Sequence, residues 1–411
     1  MKIWLSALLL ALAVGCGEHT PAPSAPSLSP TLAVVDDALA RRVDRVLDLA
    51  ITEGRIVGTV VLVAKDGKIV YHAAKGFADR EAKQPMREDT FFRFSSVTKP
   101  IVSATALALV ERGTLGLDDP VTKWLPEFRP RLADGRAPII TVRHLLSHTA
   151  GLNYGFSERA DGPYHRERVS DGFDQPGLSL EENLARLTRA PLLFEPGSKW
   201  NYSLATDVLG GVIAKAGGAP LPEVVRRLVT GPLDSDASFS PPAANRLATP
   251  YADGKPAPTR MTDPQGVPFL QGTLLYSPSR IWNPASYPSG GAGMLGTAAG
   301  YLKFLEAVRT GGGKILRSES VALMTQNQVG DLDVLQSGGT FGWGLGFSVL
   351  KKPAPNMPWA AGTFEWGGVW GHNFWVDPSA KLTTIIFTNT AIAGMIGEFP
   401  DAVRDAIYGV K

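Results

Sequence analysis

The pattern of apolar residues changes twice along the chain, and this change constrains the fold more than any other feature. Apolar runs typical of strands occur near both ends, within residues 58–77 and 341–388. Between them, from about 97 to 324, apolar residues recur with helical spacing, interrupted by loops rich in Pro and Gly. We therefore predict an α+β fold, in which one antiparallel sheet is built from both termini and an all-α subdomain lies beside it.

Periodicity and turn residues assign the separate elements. An N-terminal helix over 36–53 precedes a β-hairpin over 58–77, in which Asp66-Gly67 is typical of a tight turn. The predicted middle helices span 97–112, 142–146, 180–188, 204–216, 221–228 and 298–309, and 241–288 is predicted to be a loop. The predicted C-terminal strands span 341–350, 364–370, 374–377 and 382–388, and a final helix spans 400–410. Residues 34–411 thus form one domain, with an α/β part at about 34–95 and 335–411 and a helical part at about 96–334.

The first 33 residues resemble an export signal followed by a tether. A basic residue, Lys2, precedes an apolar run over 3–14, which is shorter than the ~20 residues of a membrane-spanning helix. The sequence over 13–16 resembles a bacterial lipobox, although Ala13 stands where Leu is usual, and Cys16 is the only cysteine. The prediction is a signal peptide over 1–16 with lipid on Cys16, or alternatively a plain signal peptide. The Pro-rich stretch 17–33 is typical of an extended tether, so the chain is expected in the periplasm or anchored to a bacterial membrane.

Charge and histidine spacing argue against several classes of function. The formal net charge is +2 and no long run of Lys or Arg occurs, so the chain lacks the concentrated basic face that nucleic-acid binding needs. His144 and His148 are four residues apart, as on one face of a helix, but no Glu follows His144 and no third ligand suggests itself. We expect no nucleic acid, no metal and no cofactor.

Ser96 and Lys99 are candidates for nucleophilic catalysis. Separated by three residues at the start of an apolar helix, they lie on the same helical face. A serine hydroxyl needs a nearby base, and a lysine can serve as one when burial or a neighbouring cation lowers its pKa. The alternative is that Ser96 merely caps the helix, since such a pair arises by chance about once in a chain of this length. Ser95 has no Lys three residues on, and no Gly-x-Ser-x-Gly occurs.

Four motifs occur in a characteristic order. They are Phe94-Ser95-Ser96-Val97-Thr98-Lys99-Pro100, His148-Thr149-Ala150-Gly151-Leu152, Glu195 to Leu204 with Tyr202 in it, and Gly290-Gly291-Ala292-Gly293-Met294 followed by Thr297-Ala298. Together they resemble the class C β-lactamase-like serine hydrolase superfamily over residues 36–411. The resemblance implies the β-lactamase/penicillin-binding-protein (transpeptidase-like) fold, with Ser96 as nucleophile and Lys99 and Tyr202 as its proton-handling partners. Which of the two is the general base stays open.

One more motif, near the C-terminus, bears on the substrate. β-Lactamases and penicillin-binding proteins usually carry Lys-Thr-Gly there, whereas this chain has Trp366-Gly367-Gly368, which resembles family VIII carboxylesterases. Trp366 offers an apolar face without charge, which suits a neutral substrate group, and the two glycines permit close approach of the backbone. The alternative is that Trp366 is a core aromatic.

Two further positions complete the predicted site. The resemblance implies an oxyanion hole formed by the N–H groups of Ser96 and Val369. His372 is expected either to line the substrate pocket or to cap a strand. Leu204 stands where class C enzymes have Asn, which removes a polar contact to an amide side chain of the substrate.

The resulting prediction is a serine carboxylesterase that hydrolyses small short-chain esters through an acyl-enzyme on Ser96, with weak β-lactam hydrolysis as a side activity. The alternatives are an acyltransferase that uses the same acyl-enzyme, a β-lactamase or D-Ala-D-Ala peptidase, and a penicillin-binding sensor that stays acylated.

Overall fold

The computed structural model describes residues 37–355 and 357–410. The predicted signal peptide over 1–16, the lipidation at Cys16 and the tether over 17–33 lie outside the described residues.

The strands come from both ends of the chain. In chain order they are β1 (Gly58–Lys65), β2 (Lys68–Asp79), β3 (Gln84–Pro85), β4 (Phe92–Arg93), β5 (Tyr251–Ala252), β6 (Thr259–Arg260), β7 (Gln265–Phe269), β8 (Gly272–Tyr276), β9 (Leu295–Gly296), β10 (Phe341–Trp343), β11 (Ser348–Leu350), β12 (Phe364–Gly368), β13 (His372–Asp377) and β14 (Leu382–Thr388). Eight of them form one sheet in the order β10-β11-β12-β13-β14-β1-β2-β3. Strand β1 pairs antiparallel with β14, which joins the two ends of the chain and confirms the predicted α+β sheet.

The helices occupy the middle of the chain and its two ends. They are α1 (Asp37–Thr52), α2 (Thr98–Glu111), α3 (Val142–Leu146), α4 (Pro163–Arg166), α5 (Leu180–Arg189), α6 (Ala205–Gly217), α7 (Leu221–Val225), α8 (Ala298–Arg309), α9 (Ser318–Thr325) and α10 (Glu398–Tyr408). A π-helical turn over Arg226–Thr230 continues α7. No single helix among residues 37–355 and 357–410 is long and apolar enough to cross a membrane. Only when two consecutive helices, Ala205–Gly217 and Leu221–Thr230, are taken together do their length and apolar composition suffice, and the chain bends by 76° between them.

The sheet has an inner and an outer face. Side chains alternate along β1, so that Val60 and Leu62 join the large core shared with the helical part, while Val61 and Val63 pack in a second core. That second core also contains the buried stripes of α1 and α10. We call the side of α1 and α10 the outer face and the opposite side the inner face. Helix α2 is buried along almost its whole length on the inner side, which explains why its sequence is apolar all round.

Three sequence-based boundaries are wrong. The predicted strand 341–350 is two strands, because the chain turns between them at Gly346, whose φ is 131°. Strand β12 ends at Gly368, since Val369 and Trp370 form the turn into β13, closed by a hydrogen bond of 2.9 Å from the Gly371 N–H to the Gly368 carbonyl. The predicted loop 241–288 contains two small hairpins, β5–β6 and β7–β8, whose short strands between prolines carry little periodicity.

Candidate active site

The candidate nucleophile lies on a strained turn. Ser96 is half-buried in a 3₁₀ turn, Ser95–Val97, that leads directly into α2. The φ of Ser95 is 43°, in the left-handed region that is costly for a residue with a Cβ. Strand β12 packs against this turn at Gly368, where a Cβ would lie 2.5 Å from the Phe94 carbonyl oxygen and 3.0 Å from Ser95 Oγ. Glycine at 368 therefore lets the strand touch the turn that carries Ser96.

Lys99 lies beneath Ser96 in the first turn of α2. Its side chain is 1% exposed, and Nζ is 3.3 Å from Ser96 Oγ and 3.0 Å from the Gly291 carbonyl oxygen, to which it donates. Burial lowers the pKa of Lys99 to about 7, against the opposing effect of the charges of Asp207 and Asp171. A substantial fraction of this amine is therefore unprotonated near neutral pH, as a general base requires.

Tyr202 comes to the same point from the loop before α6. The Lys99 Nζ lies 4.6 Å from the centroid of the Tyr202 ring. Burial raises the pKa of Tyr202, while hydrogen bonds with Ser96 and Trp366 act in the opposite direction. The phenol is therefore protonated at neutral pH and is placed to donate or relay a proton. The structure brings together Ser96, Lys99 and Tyr202, whose motifs are widely separated in sequence.

Trp366 belongs to the site as a polar partner as well as an apolar wall. Its indole Nε1 donates to Tyr202 Oη over 3.1 Å, and the two ring centroids are 4.9 Å apart. Its ring also meets Trp343 edge to face, with centroids 4.7 Å apart. Trp366 therefore fixes the phenol that faces Ser96, a role that the sequence did not suggest.

The expected oxyanion donors lie on two adjoining turns. The Ser96 N–H donates to Ser95 Oγ at 2.5 Å. Val369 begins the turn after Gly368, and its carbonyl accepts a hydrogen bond of 2.8 Å from the buried Tyr276 hydroxyl. The contact of Gly368 with the Ser95 turn brings these two segments side by side.

Two of the predicted substrate-binding residues lie away from the substrate side. Gly367 is on the outer face, where a Cβ would lie 2.8 Å from Met395 Cγ, because successive residues of a strand point to opposite faces. His372 has 0% exposure, and its Nε2 lies 2.6 Å from the Arg93 carbonyl, to which it donates as a neutral ring. Burial lowers the His372 pKa to about 4. His372 thus joins β13 to β4, so of its two expected roles the structure shows the strand cap and not the contact with the substrate pocket.

Two residues close to Lys99, Asp207 and Gly291, were given no role in the site by the sequence analysis. Asp207 is 2% exposed in α6, and burial raises its carboxyl pKa, whereas Lys99 acts in the opposite direction. A Cβ at Gly291 would lie 2.6 Å from Asp207 Oδ2 and 3.5 Å from Lys99 Nζ, so only glycine fits between them. The available signals were an acidic residue in the otherwise apolar start of α6, and the Gly-rich motif itself.

Aromatic side chains close the inner wall of the site. Tyr154 is 2% exposed, with its ring centroid 5.4 Å from that of Tyr202 and 5.3 Å from Lys99 Nζ. His148 lies on the other side, 4.8 Å from Tyr202 between ring centroids, with Nδ1 3.3 Å from Ser203 Oγ. His144, the other histidine of the pair spaced by four residues, accepts a hydrogen bond at Nδ1 from the Thr141 N–H. His144 and His148 thus both contact neighbouring groups of the protein.

Three comparisons relate this chain to known proteins. A family model described as Beta-lactamase matches residues 35–402. The chain is 49% identical to Esterase EstB of Burkholderia gladioli over 94% of this chain and 99% of that protein, and 34% identical to Protein Rv1367c of Mycobacterium tuberculosis (strain ATCC 25618 / H37Rv) over 87% and 90%. The solved structure of EstCE1, a hydrolase with promiscuous acyltransferase activity, superposes with a TM-score of 0.88 at 45% identity, covering 91% of this chain and 99% of that one.

Proposed function

The chain belongs to the β-lactamase family, and on that basis we propose that it hydrolyses short-chain carboxylic esters through an acyl-enzyme on Ser96. It is a serine carboxylic ester hydrolase, as its similarity to Esterase EstB over nearly the whole of both chains indicates. The observation that supports Ser96 most directly is the Nζ of a buried lysine, with a pKa of about 7, lying 3.3 Å from its Oγ.

The proposed acylation uses three side chains. Neutral Lys99 takes the Ser96 proton while Oγ forms a bond to the ester carbonyl carbon. The N–H group of Val369, and that of Ser96 once it leaves Ser95 Oγ, stabilise the negative charge on the carbonyl oxygen. The C–O bond to the alcohol then breaks, the Tyr202 phenol gives its proton to the leaving oxygen, and Lys99 returns a proton to Tyr202. Water attacks the acyl-enzyme by the same route in reverse.

The raised pKa of Tyr202 and the lowered pKa of Lys99 favour the amine as the base over a phenolate. The hydrogen bond from Trp366 then holds Tyr202 Oη at the leaving group. We therefore propose Lys99, rather than Tyr202, as the general base.

The substrate that we propose carries no charge at its acyl group. Trp366 stands where a cationic lysine would bind the carboxylate of a β-lactam or a D-Ala-D-Ala peptide. Leu204 has 0% exposure and presents no amide to a substrate. We therefore propose that β-lactam hydrolysis is slow beside ester hydrolysis, and that peptidase activity is not the main function.

Acyl transfer is a second candidate activity, because this chain resembles EstCE1, which is described as a hydrolase with promiscuous acyltransferase activity. An alcohol bound in place of water would attack the same acyl-enzyme and yield a new ester. Product analysis with a p-nitrophenyl ester and increasing concentrations of a short alcohol tests this proposal. Formation of the alkyl ester supports it, and production of the free acid alone contradicts it.

The main test is steady-state hydrolysis of p-nitrophenyl acetate, p-nitrophenyl butyrate and nitrocefin by the unaltered chain and by Ser96→Ala. We expect rapid ester turnover, slow nitrocefin cleavage and a loss of at least about 10³-fold in kcat/KM for the variant. The matched control, Ser198→Ala, makes the same change at an exposed position and should keep full activity. Unchanged ester turnover in Ser96→Ala would overturn the assignment, and nitrocefin cleavage faster than ester hydrolysis would overturn the substrate class.

We also propose that the chain is exported and held at a bacterial membrane by lipid on Cys16. The support is confined to the sequence of residues 1–33. Expression in a bacterium with labelled palmitate should label the unaltered chain and leave Cys16→Ser unlabelled. Absence of label on both chains, with secretion intact, would favour the plain signal peptide.

A further inference from the structure

A cavity lies on the outer face of the sheet, on the side away from Ser96. Its volume is about 230 Å³, between the start of α10 and the strands β10, β12 and β13. Its apolar walls are Phe341, Met357, Trp359, Trp375 and Met395. This volume exceeds the ~150 Å³ of an engineered apolar cavity that holds benzene, so the space suits a molecule with one ring or a short branched chain.

Two carboxyl groups line this space, and Glu365 is the one without a cationic partner among the described residues. Glu365 lines the cavity from β12, immediately before Trp366, whose side chain points to the inner face. Within residues 37–355 and 357–410, no Lys, Arg or His nitrogen lies within 4.0 Å of the Glu365 carboxylate. Burial raises the pKa of Glu365 to about 7, and the neighbouring Ser348 hydroxyl opposes that rise.

The positively charged side chain that lines the cavity is already paired with carboxylates. Arg404 lines the cavity from α10, but its guanidinium is 2.7 Å from Asp401 and 2.9 Å from Asp405. Asp401, in the first turn of α10, offsets the positive end of the helix dipole at the cavity, while Glu398 in the same turn is paired with Arg55 at 2.9 Å. The charges around the cavity are therefore negative in sum, so a cationic partner would stabilise the ionised form of the half-buried Glu365 carboxyl.

We propose that this cavity binds a small organic cation, with its ammonium group on Glu365 and its apolar body against Trp359 and Trp375. The centroids of the two indole rings are 5.6 Å apart, which gives a continuous aromatic wall. The described residues contain no group of three His, Cys, Asp or Glu side chains that could hold a metal ion, so the one unpaired carboxylate of this cavity suits an ammonium better than a metal ion.

Isothermal titration calorimetry of the full chain with phenethylammonium, and with the neutral 2-phenylethanol as its isostere, tests this site. At pH 8 the cation should bind at least tenfold more tightly than the alcohol. Glu365→Gln should lose that preference, whereas Glu319→Gln, at an exposed position on α9, should keep it. Equal affinity for the two compounds, no binding of either, or an unchanged preference in Glu365→Gln would each overturn the proposal.

Two further measurements separate this site from the catalytic one. Ser96→Ala should bind phenethylammonium as the unaltered chain does, since the two sites are on opposite faces of β12, and this result is independent of whether Ser96 is the nucleophile. Affinity should fall between pH 8 and pH 5.5 as Glu365 gains a proton, while Asp401 and Arg404, the other charged groups lining the cavity, stay paired. Binding that is lost in Ser96→Ala, or that strengthens at low pH, would contradict a site on Glu365.

Discussion

Trp366 and Glu365 are neighbours on β12, yet they lie in different chemical environments. On the inner face, the polar atom of Trp366 is satisfied by Tyr202 and the ring is packed against Trp343. On the outer face, Glu365 has a hydroxyl neighbour, Ser348, and no cationic one within the described chain. One strand therefore builds a completed polar network on one side and an open carboxylate on the other, because successive side chains of a strand point in opposite directions.

The same physical cause perturbs one titratable group on each face. Burial brings the pKa of Lys99 down to about 7 and that of Glu365 up to about 7. Lys99 has the hydroxyl of Ser96 within 3.3 Å, so its neutral form has a proton to accept. A perturbed pKa becomes catalytic only where a reacting group is placed beside it, and that placement is what distinguishes the two faces.

The largest expected effect on the inner face comes from removing the titrating amine. Lys99→Arg keeps a positive charge, but a guanidinium does not lose its proton, so the variant lacks a base. We expect kcat/KM for p-nitrophenyl butyrate to fall by at least about 10³-fold. Lys123→Arg, on the protein surface, is the matched control and should leave activity unchanged. Activity in Lys99→Arg within tenfold of the unaltered enzyme would make Lys99 a structural residue.

The pH dependence of the unaltered enzyme sharpens the same point. Only neutral Lys99 accepts a proton, so kcat/KM should rise with pH up to the lysine pKa of about 7 and then level off. The charge of Asp207 raises that pKa, so Asp207→Asn should move the rising limb to lower pH. Profiles measured between pH 5 and pH 9 check both statements. A limb that stays in place in Asp207→Asn would show that another group titrates.

A smaller effect is expected from Trp366→Phe. The change keeps an aromatic ring but removes the indole N–H that binds Tyr202 Oη over 3.1 Å. A hydrogen bond of this kind contributes about 1 kcal/mol, so kcat should fall about fivefold to tenfold. Trp375→Phe on the outer face makes the same change and should not alter kcat for p-nitrophenyl butyrate. Equal losses in both variants would mean that the effect arises from packing rather than from the hydrogen bond.

The last effect concerns the stability of the outer face and leaves catalysis unchanged. The Glu365 pKa rises from 4.5 in a free side chain to about 7 in the folded chain, so the folded state holds that proton more tightly than the unfolded state. Its contribution to stability is full below about pH 4.5 and is lost as pH rises through about 7. Glu365→Gln has no such titration. Between pH 5 and pH 8, the free energy of unfolding of the unaltered chain should therefore fall by about 2 kcal/mol more than that of the variant.

Urea unfolding of both chains at the two pH values measures this difference, with Glu319→Gln as the exposed control. If the free energy of unfolding changes equally with pH in the unaltered chain and in Glu365→Gln, then Glu365 is not perturbed on folding.

The motifs predicted that Ser96, Lys99 and Tyr202 lie together, but they did not predict how these side chains are held. Ser96 and Lys99 could be paired from their spacing, because one helical turn brings them together whatever the rest of the chain does. Tyr202 and Trp366 could be placed nearby only through the family resemblance. Their hydrogen bond depends on how α6 and β12 pack, and no local pattern carries that information. The two roles expected of His372 could not be separated for the same reason, since its exposure depends on the neighbouring strand β4.

The hydrophobic period of the sequence therefore determined the sheet built from both termini and the helical middle. The three-residue spacing determined the serine–lysine pair. All of these features depend on residues close in sequence or on strong alternation. Tertiary packing alone decided that Asp207 lies beside Lys99, that Gly367 faces away from the substrate, and that Glu365 faces a cavity. Each of these depends on which side of an element meets a segment distant in sequence, and the free energy of those contacts exists only once the chain has folded.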